Sequence, residues 1–277
     1  MIERSAIDTA LTRPDEGASL DEGSILAESL PTAVPARPLD GMLRFIRYGF
    51  MPNRLRYCGG DENRLLFDHA VEEVVDGGLK SHLQKFTGAL PYLQLIARTN
   101  GIADPFHPAV VDAYWIGNAL LDRVEVRQLY DSLLARFGKQ LQGRTRDLVL
   151  GKAPAGARPH HSFHVFDVHN RVGELGPSLA TMDHCRISWG TVIEIVGGEL
   201  VVDRVPLLLD RGKLVLGEPV RERVMRQIEG RGFIDDAQVG DVVSIHWGWA
   251  CEALRYEQHQ RLERYTRHHL SLANQTI

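Results

Sequence analysis

Cys185 and His246 are the two residues of this chain whose types and surroundings most plainly suggest chemistry. Cys185 opens the run Cys185-Arg186-Ile187-Ser188-Trp189-Gly190-Thr191-Val192-Ile193-Glu194-Ile195. His246 stands near the end of Gly240-Asp241-Val242-Val243-Ser244-Ile245-His246-Trp247-Gly248-Trp249-Ala250, about sixty residues later. A thiolate and a neutral imidazole together suit iron, zinc or copper better than magnesium or calcium, which prefer oxygen ligands. Both runs read as β-strands. In a small barrel whose first and last strands pair, the start of one and the end of the other come within reach of a single ion. The plainer alternative is a buried thiol used as an apolar filler and an imidazole used for one structural hydrogen bond. Trp189, Trp247 and Trp249 flank the pair. Large aromatics usually anchor cores or interfaces, and here they would also line a dry pocket around a metal-bound cofactor.

A second concentration of ligand-type residues lies in Pro159-His160-His161-Ser162-Phe163-His164-Val165-Phe166-Asp167-Val168-His169, with four histidines in ten residues from His160 to His169. On a helix His160 and His164 would stand about 6 Å apart and could share a metal; on a strand they would be about 13 Å apart and could not. The order Phe163, Val165, Phe166, Val168 favours the strand. A shared site of His160, His161 and His164 then needs a turn at residues 159–162, or help from Cys58 or His184. Histidines that only pack and hydrogen-bond at a domain junction are an equally good reading. Cys58 precedes a helix that Asp61 would cap, where the helix dipole lowers a thiol's pKa, although a packed loop cysteine is the commoner case.

Other chemistries find no support. Walker and Rossmann glycine loops, a Gly-x-Ser-x-Gly elbow, His-Glu-x-x-His and Cys-x-x-Cys are all missing from the sequence. The formal charge of −4 and the lack of a long basic run argue against nucleic-acid binding. No apolar run is long enough for a membrane helix, and the acidic start is unlike a secretion signal, so a cytoplasmic protein is expected. Three scattered cysteines suggest reduced thiols open to metal rather than a disulfide framework.

The elements that must position these residues divide into four. Residues 1–40, rich in Asp, Glu, Ser, Ala and Pro, read as a disordered tail. Residues 41–150 read as a helical domain of five helices. A first one breaks at Pro52. The next, carrying Leu65, Leu66, His69, Ala70 and Val74, stops at Gly77-Gly78. Leu90 to Thr99 ends at Asn100-Gly101, another begins at Pro108, and Val126 to Phe137 ends at Gly138. Residues 151–184 form a His-rich junction. Residues 185–277 hold four or five short strands with tight turns at Gly197-Gly198 and Asp210-Arg211-Gly212, followed by a helix with Leu254, Gln258, Leu262, Tyr265, His269 and Leu272 on one face, packed against the strands. The fold class is α+β.

Cys185, Ile187, Gly190, Val192 and Glu194-Ile195, then Gly240-Asp241, His246, Gly248, Trp249 and Ala250, resemble the opening and closing segments of the HypC/HupF family, small chaperones of nickel-iron hydrogenase maturation. Trp189 stands where that family has proline, and Cys185 is internal where the family's cysteine lies near the chain start. The resemblance, over about a quarter of the chain, implies a HypC-like (OB-like) β-barrel. It also implies that Cys185 and His246 hold iron carrying diatomic ligands while it passes between proteins. Arg47 to Leu55 with Tyr57-Cys58-Gly59, then Ala113 to Asn118, then the His-rich run, resemble an uncharacterised bacterial family often encoded beside nickel-iron hydrogenase genes. Together these imply an accessory protein of hydrogenase maturation, docking on a maturation protein or the large-subunit precursor. The alternatives are a metal- or haem-dependent enzyme acting on a cofactor ligand, and a metal-free docking adaptor.

Overall fold

Asp40 starts the described fold by accepting a hydrogen bond from the Met42 amide at 2.7 Å, the N-cap of helix α1 (Gly41–Arg54). The computed structural model describes residues 39–139, 141–169, 171 and 178–277; the tail expected at 1–40 lies, up to residue 38, outside the described residues. Helix α1 does not break at Pro52 as expected but runs through it. The proline sits in the last turn, where it forfeits only one intrahelical bond, the one its missing N–H would have given to the Tyr48 carbonyl. The buried side of α1, with Phe45, Ile46, Tyr48 and Phe50, packs on α2 (Asn63–Glu72), α3 (Leu79–Leu83) and α5 (Pro108–Trp115). Helices α4 (Leu90–Thr99), α6 (Val126–Phe137) and α7 (Gly143–Gly151) complete seven among the described residues where five were expected. Helix α2 stops at Glu73, which takes a left-handed conformation (φ 51°), ahead of the Gly77-Gly78 pair. Its N-cap position falls to Glu62 rather than Asp61.

The His-rich run is not a strand. His161–Phe163 form a single α-helical turn, α8, that widens into a π-helical turn over His164–His169. Phe163, Val165, Phe166 and Val168 are all buried, so their order reflects burial on every side rather than the alternation of a half-exposed strand. Helix α9 (Leu179–Cys185) follows, capped by Ser178, and Cys185 is its last residue rather than the first of a strand.

Strand β1 (Ser188–Val196) pairs antiparallel with β2 (Glu199–Arg204) and with β8 (Val242–His246). Strand β2 pairs with β5 (Val220–Met225), and β8 with β9 (Trp249–Ala253). A parallel contact between Met225 and Trp249 joins β5 to β9, so the mixed five-stranded sheet β1-β2-β5-β9-β8 closes on itself. It encloses Val192, Leu200, Val202, Val224, Val243 and Ile245. Two small hairpins stand apart, β3 (Leu207–Asp210) with β4 (Lys213–Leu216) and β6 (Gln227–Ile228) with β7 (Arg231–Gly232). The terminal helix α10 (Tyr256–Asn274) packs chiefly on α8, the π-helical turn and β4, rather than on the five-stranded sheet. No helix among the described residues is long and apolar enough to cross a membrane.

Pro38–Ile277 form one compact unit, and a single core runs from α1 through α5 and α6 to Trp189, Trp249 and Cys251 of the sheet. The helical and β halves therefore share an interior. Arg44 bridges them with ion pairs to Asp112 (3.2 Å) and Glu252 (2.6 Å), and the Tyr48 hydroxyl donates to Glu252 at 3.0 Å. Trp249 is the largest side chain buried at the joint, with Phe50, Phe67 and Phe233 rings at 5.3, 6.4 and 5.2 Å. Trp249→Ala is expected to cost about 3–5 kcal/mol in denaturant unfolding, the cost of emptying a packed aromatic site. A loss below ~1 kcal/mol would contradict this role in the core.

Candidate metal centre

His246 ends β8, and its Nδ1 lies 2.7 Å from the Tyr48 carbonyl oxygen. A carbonyl only accepts, so Nδ1 carries the proton and Nε2 keeps its lone pair. Tyr48 has a carbonyl to offer because Pro52, four residues on, has no N–H to occupy it. The His246 Nε2 atom is buried without a hydrogen-bond partner among the described residues. A two-residue turn, Trp247 (φ 54°) and Gly248 (φ 70°), then reverses the chain into β9. Both residues are left-handed, as a type I′ hairpin requires, and a tryptophan there is strained. The Trp247 amide donates to the His184 carbonyl at 2.9 Å, tying the hairpin tip to the end of α9. That bond brings Cys185 beside His246.

The third member comes from the His-rich run. His161 Nε2 lies 2.8 Å from the Cys185 carbonyl oxygen and is therefore its protonated nitrogen, leaving Nδ1 to accept from the Tyr114 hydroxyl at 3.1 Å. One ligand atom each of His161, Cys185 and His246 lie within 4.8 Å of one another. A tetrahedral ion with bonds of about 2.0–2.3 Å needs its ligands roughly 3.5 Å apart, so binding closes these separations by at most about an ångström. Burial drives His246 down to about 4 and His161 well below its ordinary range, so both imidazoles are neutral at pH 7. Burial pushes the Cys185 thiol up to about 12, partly offset by the Trp247 indole, so metal binding must expel one proton.

These residues line one wall of a cavity of about 440 Å³ to which both halves contribute. Trp247 covers them, its ring stacked on Tyr57 at 4.0 Å and on His184 at 5.9 Å. Cys58 and His164 line the same cavity outside the triad. Burial pushes the Cys58 thiol above its ordinary range and the nearby Cys185 adds to this, so the expected lowering by the helix dipole loses to desolvation. The π-helical turn sets the His164 and His169 rings 6.0 Å apart, both toward the cavity. Wide π turns of this kind recur at functional sites.

Three expected site residues lie elsewhere. His160 caps α8, its Nδ1 accepting from the Ser162 amide at 3.1 Å and its ring stacked on Tyr265 and His269. It faces α10, because neighbours on a helical turn point to different sides. Trp189 packs beside Arg186 and His259, and Trp249 fills the core described above, so neither lines the cavity. Tyr114 and Trp115, which do, escaped notice as ligand-orienting groups; Trp115 lies 4.6 Å from the His161 ring and 5.7 Å from that of His246. Their signal in the sequence is the run Ala113 to Asn118, otherwise read as part of a helix.

Residues 37–277 match a family of unknown function, DUF6390. No curated protein and no solved structure matches the chain.

Proposed function

We propose that this chain, which belongs to the DUF6390 family, is a metal-binding accessory protein of nickel-iron hydrogenase maturation. It holds iron, or the iron fragment of the cofactor, for transfer to a maturation partner or the immature large subunit. The observation that carries this reading is the meeting of His161, Cys185 and His246, distant in sequence, at the wall of one cavity. Two imidazoles and a thiolate fit iron, zinc or copper, and three protein ligands leave one position open. The sheet lends support. Its five long strands, taken in chain order as first to fifth, lie in the order first, second, third, fifth, fourth before closing, a Greek-key arrangement like that of OB-type barrels. This agrees with the HypC-like reading of the segments around Cys185 and His246.

In this function each residue has a task set by its surroundings. Tyr48 holds His246 in the tautomer that presents Nε2, and the Cys185 carbonyl orients His161. Cys185 gives up its thiol proton, and Trp247 with Tyr57 keeps bulk water from the pair. Bound iron supplies an open coordination position.

Metal analysis of protein purified without oxygen tests the proposal. Wild type is expected to carry close to one iron per chain, and Cys185→Ala less than a tenth of that. Equal metal in the two proteins, or none in wild type after anaerobic incubation with ferrous salt, sinks it.

A further inference from the structure

Among the described residues, the lysines and arginines lining the cavity are Arg56, Lys85 and Arg136, and no carboxylate lines it, in a chain of net charge −4. Lys85 is neutralised by Glu62, and Arg56 sits exposed at the rim. Arg136 is different. Its guanidinium is half-buried, lies over the rings of Tyr92 and Phe137 at 5.1 and 4.7 Å, and donates from Nη2 to the Thr87 and Gly88 carbonyls, both at 3.0 Å. It makes no ion pair with a described carboxylate, and its Nη1 is shielded from solvent without an acceptor among the described residues. A cation withdrawn from water without a counter-charge is costly, and proteins as a rule pair such groups. An anion would supply the counter-charge.

We infer that the wall contributed by the helical half is an anion subsite centred on Arg136, and that the cavity takes a small anion beside the His161–Cys185–His246 position. The volume agrees: about 440 Å³ is far more than an ion alone fills, a single water taking ~30 Å³. The charge agrees as well. A divalent ion on one thiolate leaves one positive charge, Arg136 adds a second, and a divalent anion between them offsets the sum while a monovalent one offsets half of it. This part of the inference rests on the metal reading; the Arg136 subsite itself does not.

Azide, a small linear anion, serves as probe, with cobalt(II) as a coloured substitute for the metal. Azide is expected to shift the visible bands of the cobalt-loaded protein saturably. Arg136→Gln should weaken azide at least tenfold while cobalt affinity stays equal or rises. Arg127→Gln, on the same helix with a side chain 90% exposed, should change neither. Equal azide affinity in wild type and Arg136→Gln, or no azide effect on wild type, overturns the subsite. Failure of the metal reading looks different: cobalt does not bind at all. Azide is then titrated into metal-free wild type and followed at the Arg136 Nε–H resonance, which should move while that of Arg127 stays still. The same measurement decides the matter should Arg136→Gln fail to fold, and an unmoved Arg136 resonance overturns the subsite.

Discussion

Between pH 7 and pH 5 the metal-free protein is expected to lose about 4 kcal/mol of stability or more. The cause is a set of histidines folded into the interior as neutral rings. Burial holds His160 at about 3 and His246 at about 4, and drives His161, His164 and His269 well below the ordinary value of 6.5. A depressed histidine pKa means that the unfolded chain binds the proton first, so stability is full above 6.5 and falls as the pH drops toward the folded value. At pH 5 His160 and His246 each cost about 2 kcal/mol relative to pH 7, ~4 kcal/mol together, and His161, His164 and His269 act in the same direction. Asp167 works in the opposite sense, since burial raises its carboxyl despite Lys152, but it is one group against five. The whole stability of a domain is about 5–15 kcal/mol, so the shift is large. Urea midpoints at pH 7 and pH 5 measure it. Midpoints that agree would mean that water or counter-charges reach the rings, and the closed packing around His160 and His269 would then be wrong.

That dependence on burial also explains what could be read before folding and what could not. The pairing of β1 with β8 follows from local signals, alternation and glycine turns, and it leads directly to Cys185 and His246 as neighbours. Which histidine of the run joins them does not. His160 and His161 are adjacent in sequence, yet one faces α10 and the other the cavity, and the choice depends on where an α turn widens into a π turn. No periodicity in the sequence marks that change, because every side chain nearby is buried. Trp247 and Trp249 part for a similar reason: only Gly248 separates them, but the first sits in the turn and the second in the strand. Pro52 shows a local rule yielding to a tertiary gain. A proline ought to end the helix, yet the carbonyl it leaves free is the one that orients His246. The shared core reaches into the expected junction in the same way, since Ala153 and Ala157 are buried in it.

Removing His246 should weaken metal binding by roughly 10²–10³-fold, since an apparent free energy of about 10–16 kcal/mol for a four-ligand structural site spreads over its ligands. No described group can replace it: Tyr48 offers only a carbonyl, and Cys58 and His164 lie outside the triad. The consequence appears in stability too. At a free metal concentration 1,000 times the dissociation constant, wild type gains about 4 kcal/mol from binding, and a variant bound a thousand times more weakly gains less than ~0.5. His160→Ala supplies the contrast. It removes the Ser162 cap and the stack on Tyr265, so it should lower stability with metal affinity unchanged. Competition with a coloured chelator gives the affinities. Because Cys185 must release its proton while both imidazoles are already neutral, wild-type affinity should rise about tenfold per pH unit from 7 to 8. If His160→Ala weakened binding as much as His246→Ala, or affinity did not vary with pH, the ligands would have to be sought outside this triad.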